Sequence, residues 1–379
     1  MRIAVPSEAE AGEPRVAATP ETVKKYRALG ADVVVGTGAG AGSGIPDAEY
    51  EAAGAAVAPD ARSALQDADL VLKVRRPTET ELQAVKRGAV VVATMDPYGQ
   101  DAALKAMADA GIAAFAMELM PRITRAQVMD VLSSQANLAG YRAVVDASAE
   151  YGRAFPMMMT AAGTVPAARV FVMGAGVAGL QAIATARRLG AVVSATDVRP
   201  AAKEQVESLG GKFIAVEDEE FKQAETAGGY AKEMSRDYQA KQAALVASHI
   251  AKQDIVITTA LIPGRPAPKL ISREMVDSMR PGSVIVDLAV ERGGNVELSK
   301  PGEVVHHKGV KIIGHLNVPG RLPASSSSLY ARNLYAFVET LIDKTTKNLA
   351  VKWDDELVKA TCLTRDGAIV HSAFQPGTA

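Results

Sequence analysis

The sequence has little of several residue types that mark particular classes of protein. Its 379 residues include one cysteine, Cys362, which excludes an internal disulfide and a cysteine-rich metal site and favours a reducing compartment. Aromatic residues make up only 4% of the chain, so platforms for stacking nucleobases are not expected. The formal net charge of −1 gives no electrostatic basis for binding nucleic acid or an anionic membrane.

Long hydrophobic runs are also missing. No apolar stretch approaches the ~18 residues that cross a bilayer, and the N-terminal MRIAVPSEAEAGEPR lacks the apolar core of a signal peptide. What is present is typical of a globular chain, with 48% hydrophobic and 22% charged residues in a length that suits two domains. We therefore expect no direct membrane insertion and enough apolar surface for a core.

Short β-rich runs alternate with helical patterns along the chain, in two series. The predicted strands of the first series are 2–5, 31–35, 70–74, 89–93 and 112–116, and those of the second are 169–173, 192–196, 212–216, 255–259, 283–288 and 310–313. Such alternation predicts parallel sheets covered by helices on both faces. The sequence therefore predicts an α/β protein with two Rossmann-like doubly wound parallel-sheet domains separated by a cleft.

The segments outside the two series decide where the domains divide. Residues 124–150 show a helical pattern without a strand, typical of one or two long helices that join two domains. A helix over 329–343 and a hairpin-like tail follow the second series. Because no further strand–helix unit is left for them to join, we expect them to return to the first domain. The predicted domains are 1–139 with 323–379, and 140–322.

A glycine fingerprint opens the second series. The apolar strand 170–173 runs into Gly174-Ala175-Gly176-Val177-Ala178-Gly179, and a helical pattern follows. The first glycine suits a tight turn, the second a close approach of pyrophosphate, and the third close helix–strand packing. The helix N-terminus offers free N–H groups to phosphates. The sequence thus predicts a site for a dinucleotide's pyrophosphate.

An acidic residue in the expected place extends this site. Asp197 ends the next strand, 18 residues after Gly179, where a carboxylate accepts hydrogen bonds from the adenosine ribose. It would repel a 2′-phosphate and favour NAD(H) over NADP(H), although the neighbouring Arg199 weakens that inference. The predicted cofactor-binding residues of this region are Gly174, Gly176, Val177, Ala178, Gly179, Asp197, Val198 and Arg199.

A second glycine-rich stretch, VVVGTGAGAGSG at 33–44, also follows a strand. Its glycines fall at every second position, and the next helical pattern begins only at Pro46. We interpret it as a loop beside the cleft, and its contact with ligand is left open.

Other segments have plain structural interpretations. Met157–Met159 are expected to fill the core near the interdomain junction rather than to bind a metal. Ser325–Ser328 read as a polar turn before a helix, not as a nucleophile. His306 and His307 lack a pattern of cysteine or carboxylate partners, so no zinc site is predicted.

Longer stretches resemble a known family. The family holding alanine dehydrogenase and the NAD(H)-binding component of proton-translocating NAD(P) transhydrogenase is resembled by GEPRVAATPETV near the start, LVLKVRRPT at 70–78 and GSVIVDLAVERGG at 282–294. The transhydrogenase branch is resembled by MELMPRITRAQVMDVLSSQANLAGYRAV at 117–144, FPMMMTAAGTVP at 155–166 and ETAGGYAKEM at 225–234. The resemblance covers essentially the whole chain.

Departures from the alanine dehydrogenase pattern separate the two branches. That pattern implies a substrate-binding pair, matched by Arg15 and Lys73, together with a histidine acid/base and a catalytic aspartate. The segment expected to carry the histidine reads VVVATMDPYG, no histidine precedes His249, and Glu291 stands at the aspartate position. Amine oxidation needs a proton-transfer group, whereas hydride transfer between two nicotinamides needs only aligned rings. The departures therefore favour transhydrogenation, and Arg15 and Lys73 are either structural or line the cleft.

By the transhydrogenase resemblance, four polar residues would line the nicotinamide end of the cofactor. Gln127 can pair with a carboxamide, and Arg122 can hold a phosphate or carboxylate. A spacing of three places Gln127, Asp130 and Ser133 on one face of a helix. The alternative is a solvated helix face with a capping arginine. These predicted catalytic-site residues are Arg122, Gln127, Asp130 and Ser133.

A charged, weakly periodic segment carries Gly228, Gly229 and Tyr230. Such a loop can close over bound nucleotide and shield it from water, and the resemblance implies this role for Gly229 and Tyr230. The alternative is an ordinary exposed linker.

The resemblance implies a Re/Si-specific, proton-translocating NAD(P)+ transhydrogenase that acts with partner subunits. This chain would bind NAD(H), form a homodimer and exchange hydride directly with NADP(H) held only by the partner. Because no hydrophobic continuation precedes Ala379, the NADP(H)-binding and membrane-spanning parts are expected on other chains. That would place this chain at the cytoplasmic face of the inner (plasma) membrane, held peripherally by those subunits. The alternatives are a free-standing alanine dehydrogenase-like enzyme and a non-catalytic NAD-binding regulatory module.

Overall fold

The structure is a computed structural model that describes residues 1–222 and 234–375. The chain divides into two compact units, the first made of Met1–Gln135 with Pro319–Ala379 and the second of Ala136–Val318. Among the described residues, no helix combines the length and apolar character that a membrane crossing requires.

The strands are β1 (Arg2–Val5), β2 (Asp32–Gly36), β3 (Ala56–Ala58), β4 (Leu70–Arg75), β5 (Val90–Thr94), β6 (Ala113–Ala116), β7 (Met158–Thr160), β8 (Gly163–Val165), β9 (Arg169–Met173), β10 (Val192–Thr196), β11 (Lys212–Phe213), β12 (Ile255–Thr258), β13 (Val284–Asp287), β14 (Val304–His307), β15 (Val310–Ile313), β16 (Cys362–Arg365) and β17 (Ala368–Ile369).

The α-helices are α1 (Pro20–Ala28), α2 (Asp47–Ala52), α3 (Ala61–Leu65), α4 (Glu79–Leu82), α5 (Asp101–Asp109), α6 (Val131–Glu150), α7 (Val177–Arg188), α8 (Ala202–Ser208), α9 (Glu219–Lys222), α10 (Arg236–Ile250), α11 (Arg273–Ser278), α12 (Pro323–Thr340) and α13 (Glu356–Thr361). Short 3₁₀ helices span Ala41–Ser43, Met117–Leu119, Thr124–Met129, Val290–Arg292, Val318–Arg321 and Ser372–Phe374.

The sheet of the first unit has the strand order β17-β16-β6-β5-β4-β1-β2-β3. The six strands from β3 to β6 run parallel, and the order reverses between β1 and β4. The C-terminal strand β16 adds to the sheet antiparallel to β6, and β17 pairs with it. The predicted return of the tail to the first series of strands is therefore confirmed.

The sheet of the second unit has the order β11-β10-β9-β12-β13-β15-β14. All its neighbours are parallel except β14 and β15. The order reverses between β9 and β12, so each unit contains the doubly wound arrangement whose ligands bind at the carboxyl ends of the strands, next to the reversal. The predicted fold class, α/β with parallel-dominated Rossmann-like sheets in two domains, is confirmed.

Alternate residues of a strand pack on opposite faces of each sheet. In β1, Ile3 belongs to one core cluster of the first unit and Ala4 to the other. In β9, Val172 and Phe171 are divided in the same way between the two clusters of the second unit. Burial of both faces explains why these strands are near-continuous apolar runs, the feature that predicts them.

Two strand predictions differ from the structure. The strand β3 is absent from the predicted set because three residues, AVA, are too few to show a pattern. The predicted strand 212–216 ends at Phe213, because β11 lies at the edge of its sheet and pairs with β10 over two residues.

The serines 325–328 lie inside α12, so the predicted polar turn is wrong. Ser326 and Ser327 are fully buried. The Ser327 hydroxyl accepts the backbone N–H of Val16 at 3.0 Å and lies 2.7 Å from the Ser43 hydroxyl. The run is helical because its hydroxyls find partners within the first unit.

The predicted burial of Met157–Met159 is also wrong. The three side chains are exposed, and Met159 retains 80% of its accessible surface. Met158 and Met159 belong to β7, which forms a two-stranded antiparallel sheet with β8. Neither strand is part of the larger sheet of the second unit, so their apolar side chains lack that core to pack into.

Candidate dinucleotide-binding site

The turn between β9 and α7 carries the three glycines of the fingerprint, and each has a different environment. Gly174 has a φ of +101°, which a side chain would strain. A Cβ atom on Gly179 would lie 1.8 Å from the Gly174 carbonyl oxygen, so no side chain fits there. A Cβ atom on Gly176 would meet no atom within 4 Å. The turn therefore leaves open space at Gly176, directly before the N-terminus of α7.

Open space at this position suits the pyrophosphate of a dinucleotide. Helix α7 begins at Val177, and the first N–H groups of a helix lack intrahelical partners and attract anions. Val177 is exposed, and Ala178 is half-buried behind it. The predicted conformations of the glycine turn are present, while its contact with a cofactor stays a prediction.

Asp197 follows β10 and faces the same turn. Its Oδ2 atom accepts the Ala175 N–H at 2.7 Å, and its Oδ1 atom accepts the Arg199 N–H at 2.9 Å. The Arg199 guanidinium donates to the same two oxygens, from Nε at 2.9 Å and from Nη2 at 3.1 Å. Val198, between them, is exposed. The carboxylate is thus fixed against the glycine turn, and Arg199 binds it directly.

Two residues that brace the glycine turn are not among the predicted site residues. The Thr259 hydroxyl donates to the Gly174 carbonyl oxygen at 3.0 Å. A Cβ atom on Gly140, in α6, would lie 2.0 Å from the Ala178 carbonyl oxygen, so α6 approaches the start of α7 at this glycine. A glycine in the middle of a long helical pattern is the signal that marks such a close contact.

The four polar residues predicted for the nicotinamide end lie in the first unit. Arg122 and Gln127 are exposed, with Gln127 in the 3₁₀ helix Thr124–Met129. Asp130 is extended, with a ψ of 92°, and Ser133 lies in the first turn of α6. The prediction that Gln127, Asp130 and Ser133 share one face of a continuous helix is therefore wrong.

The break at Asp130 has a local physical cause. Its Oδ1 atom accepts the Ser133 N–H at 2.8 Å, and its Oδ2 atom accepts the Ser133 hydroxyl at 2.5 Å. An aspartate in this position caps the N-terminus of a helix and satisfies one of its free N–H groups. The pair thus starts α6, and Gln127 stands on the preceding segment.

Asn333, in α12, holds this segment in place and is not among the predicted site residues. Its side-chain nitrogen donates to the Val128 carbonyl oxygen at 2.8 Å, and its oxygen accepts the Ser134 hydroxyl at 2.7 Å. Arg125 adds a bidentate ion pair with Asp355, at the start of α13. Both partners are distant in sequence, so no local pattern reveals the brace.

Lys73 is enclosed by two carboxylates of its own unit. Its side chain is 1% exposed, and its Nζ atom lies 2.6 Å from Glu81 and 3.3 Å from Glu8. Glu8 also accepts the Val74 N–H at 2.6 Å. Burial raises the pKa of Glu8, although the ion pair with Lys73 opposes that shift. The ammonium is therefore neutralised within the chain.

Arg15 is paired in a similar way. Its Nε and Nη2 atoms contact the two carboxylate oxygens of Glu13 at 2.7 and 2.6 Å, and Nη1 donates to Gln135 at 2.8 Å. Burial alone would raise the pKa of Glu13, but the hydrogen bonds from Arg15 and the charge of Arg75 hold it below its ordinary value. Arg15 and Lys73 thus have structural roles in the first unit.

The second glycine-rich stretch is packed against other backbone. A Cβ atom on Gly42 would lie 2.6 Å from the Pro14 carbonyl oxygen, and one on Gly40 would lie 2.7 Å from the Ile45 carbonyl oxygen. Close packing accounts for these two glycines without a ligand. Gly229 and Tyr230 lie outside the described residues.

The fold and the glycine turn together define a class of protein. A parallel sheet with a reversed strand order, a glycine turn open at the start of a helix and an aspartate after the next strand characterise Rossmann-like nucleotide-binding proteins. Comparison with known families then gives the family. The model described as Alanine dehydrogenase/PNT, N-terminal domain matches residues 4–139, and Alanine dehydrogenase/PNT, C-terminal domain matches residues 143–372. The chain belongs to the alanine dehydrogenase/PNT family.

Transhydrogenase subunits are among its most similar relatives. The chain is 59% identical over 379 residues to the first portion of NAD(P) transhydrogenase subunit alpha of Rhodospirillum rubrum, a separate chain, with 99% of each chain covered. It is 64% identical to a solved transhydrogenase from Sinorhizobium meliloti, with a TM-score of 0.90 and 98% and 100% of the two chains covered. An alanine dehydrogenase of Halomonas elongata is 30% identical over 384 residues, with 98% and 95% covered. The chain is a homologue of transhydrogenase alpha subunits, as the resemblance implied.

Proposed function

We propose that this chain is the NAD(H)-binding subunit of a proton-translocating, Re/Si-specific NAD(P)+ transhydrogenase. It holds NAD(H) while a partner subunit holds NADP(H), and hydride passes directly between the two nicotinamides. The observation that carries the proposal is the open glycine turn at Gly176 beside the fixed carboxylate of Asp197, in a chain homologous to transhydrogenase alpha subunits.

The described residues fit a dinucleotide at this turn. Gly176 and the N-terminus of α7 would hold the pyrophosphate, because nothing fills the space before them and the helix end favours anions. Asp197 would bind the adenosine ribose. The nicotinamide supplies the hydride when the cofactor is bound, and the chain's own residues position that ring and exclude water.

The polar set of the first unit would act at the nicotinamide end. Gln127 is exposed and lies on a segment that Asn333 and the Arg125–Asp355 ion pair hold rigidly. A rigid segment suits a positional role, since hydride transfer depends on the distance and alignment of the reacting atoms. Arg122, Asp130 and Ser133 would complete this set. Gly229 and Tyr230 would belong to a loop that covers the nucleotide.

The rival function, an alanine dehydrogenase-like enzyme, is less well supported. Its substrate carboxylate would need Arg15 and Lys73, which already have partners from the chain and are almost completely buried. The only histidine in the sequence of the first unit is His371, which contacts the Ala360 carbonyl oxygen of the C-terminal segment. Transhydrogenation requires neither a free substrate cation nor a proton-transfer group.

The proposal includes its partners. The chain would form a homodimer, dock on the NADP(H)-binding subunit and be held at the cytoplasmic face of the inner membrane by membrane-spanning subunits. The name of the R. rubrum relative describes it as one portion of subunit alpha, which supports a division of the enzyme among several chains. Proton movement would be coupled through the partner's affinity for NADP(H).

A reconstitution experiment tests the proposal. The purified chain and NADH are mixed with a recombinant NADP(H)-binding partner and an NADP analogue with a distinguishable reduced spectrum. We expect analogue reduction that requires both proteins and saturates with this chain. A mixture without the partner is the control, and NADH binding without transfer in the complete mixture would support the regulatory-module alternative. Turnover by the chain alone with NADH, pyruvate and ammonia would instead favour the dehydrogenase.

A further inference from the structure

The carboxylate of Asp197 has no acceptor capacity to spare in this structure. A carboxylate offers about four acceptor positions. Two are filled by the N–H groups of Ala175 and Arg199, and two by Nε and Nη2 of the Arg199 guanidinium. The Arg199 Nη2 atom also lies 3.3 Å from the Ala175 carbonyl oxygen. Two ribose hydroxyls therefore compete for positions that Arg199 occupies.

The same contact changes the charge that a nucleotide meets. The Asp197 side chain is 8% exposed and Arg199 30%, so the pair is only partly screened by water. A bare carboxylate repels a 2′-phosphate, but a carboxylate in contact with a guanidinium is a neutral pair. Arg199 thus weakens the feature of Asp197 that rejects NADP(H).

From these contacts we infer that Arg199 is a specificity-determining positioning residue, which acts through Asp197 and lowers the preference for NADH over NADPH. This inference rests on the proposed function, because it assumes that the adenosine ribose binds at Asp197. Removal of the guanidinium frees two acceptor positions for the ribose hydroxyls and exposes the full carboxylate charge to a 2′-phosphate. Loss of a cation therefore sharpens the choice of nucleotide and leaves NADH binding intact.

The test is a set of equilibrium titrations of the full chain with NADH and with NADPH. Arg199→Met retains the apolar stem and removes every donor. We expect it to raise the ratio of the NADPH and NADH dissociation constants about tenfold, with the NADH constant changed less than about threefold. Arg199→Lys, which retains the charge, should keep the ratio within about threefold of the unmodified chain. A purely structural role would weaken both nucleotides equally and leave the ratio unchanged, which would overturn the inference.

A double-mutant cycle tests whether the effect passes through Asp197. In an Asp197→Asn background, Arg199→Met should leave the ratio unchanged, because there is no carboxylate charge to unmask. An equal change in both backgrounds would mean that Arg199 contacts the nucleotide directly, and the inference would be wrong. If the unmodified chain fails to bind NADH, the proposed function itself fails. That result differs from normal NADH binding with an unaltered ratio, which refutes only the role of Arg199.

Discussion

Gly179 and Gly176 stand three residues apart in one turn, yet substitution by alanine should affect opposite properties. At Gly179 the added methyl group would lie 1.8 Å from the Gly174 carbonyl oxygen, which is backbone and cannot rotate away. Overpacking of this kind costs about 1–3 kcal/mol when neighbours can adjust, so we expect Gly179→Ala to lower the free energy of unfolding by at least about 3 kcal/mol.

At Gly176 the added methyl group enters open space. The residue has a φ of −73°, which alanine adopts without strain. Loss of glycine at the start of α7 and the reduced freedom of the unfolded chain oppose each other, so stability should change by less than about 1 kcal/mol. Because the methyl group occupies the space assigned to pyrophosphate, we expect Gly176→Ala to weaken NADH binding at least about tenfold.

Urea unfolding and NADH titration on both variants measure the two effects separately. Each variant is the control for the other, since both add one methyl group to the same turn. Unchanged NADH affinity in Gly176→Ala would refute the path assigned to the pyrophosphate. A Gly179→Ala variant as stable as the unmodified chain would show that the turn relaxes more easily than its geometry indicates.

Three further predictions concern the first unit. Gln127→Asn should slow hydride transfer with the partner roughly 10- to 100-fold while NADH affinity changes only a few-fold, and unaltered single-turnover rates would remove Gln127 from the site. With NAD and L-alanine, the isolated chain should show no turnover above background; a saturable rate would return Arg15 and Lys73 to a substrate role. Burial raises the pKa of Glu118 from 4.5 to about 7 despite backbone N–H donors from Met95 and Asp96. The stability that Glu118 contributes, relative to Glu118→Gln, should therefore be full below pH 4.5 and decline as pH rises toward about 7, by up to about 1.4 kcal/mol per pH unit. Urea unfolding of both proteins across this range checks it, and a constant difference would contradict it.

Local patterns predicted much of the fold. Strands such as β9 and β10 have the predicted bounds because a strand buried on both faces must be a continuous apolar run. The glycine turn was equally visible, since only glycine tolerates the φ of Gly174 and the contact at Gly179. These constraints act between residues close in the chain, so the sequence displays them directly.

Longer-range choices were less predictable. The serines of α12 have the composition of a turn, but the hydroxyl of Ser327 is satisfied by Val16, which is 311 residues away. Met157–Met159 have the composition of a core, but β7 and β8 form a separate two-stranded sheet. In both cases local composition gave the wrong environment because the partners of these side chains, or their lack of a core, depend on packing.

The sequence by itself determined the class of the protein: two parallel α/β sheets, a dinucleotide-type glycine turn and an aspartate after the next strand. Only the tertiary structure decided which charges are available. Arg15 and Lys73 bear the same residue types as a substrate-binding pair, but Glu13, Glu8 and Glu81 neutralise them. The reason is physical: a residue type fixes the charge of a side chain, whereas its capacity to bind a ligand depends on the partners that folding brings to it.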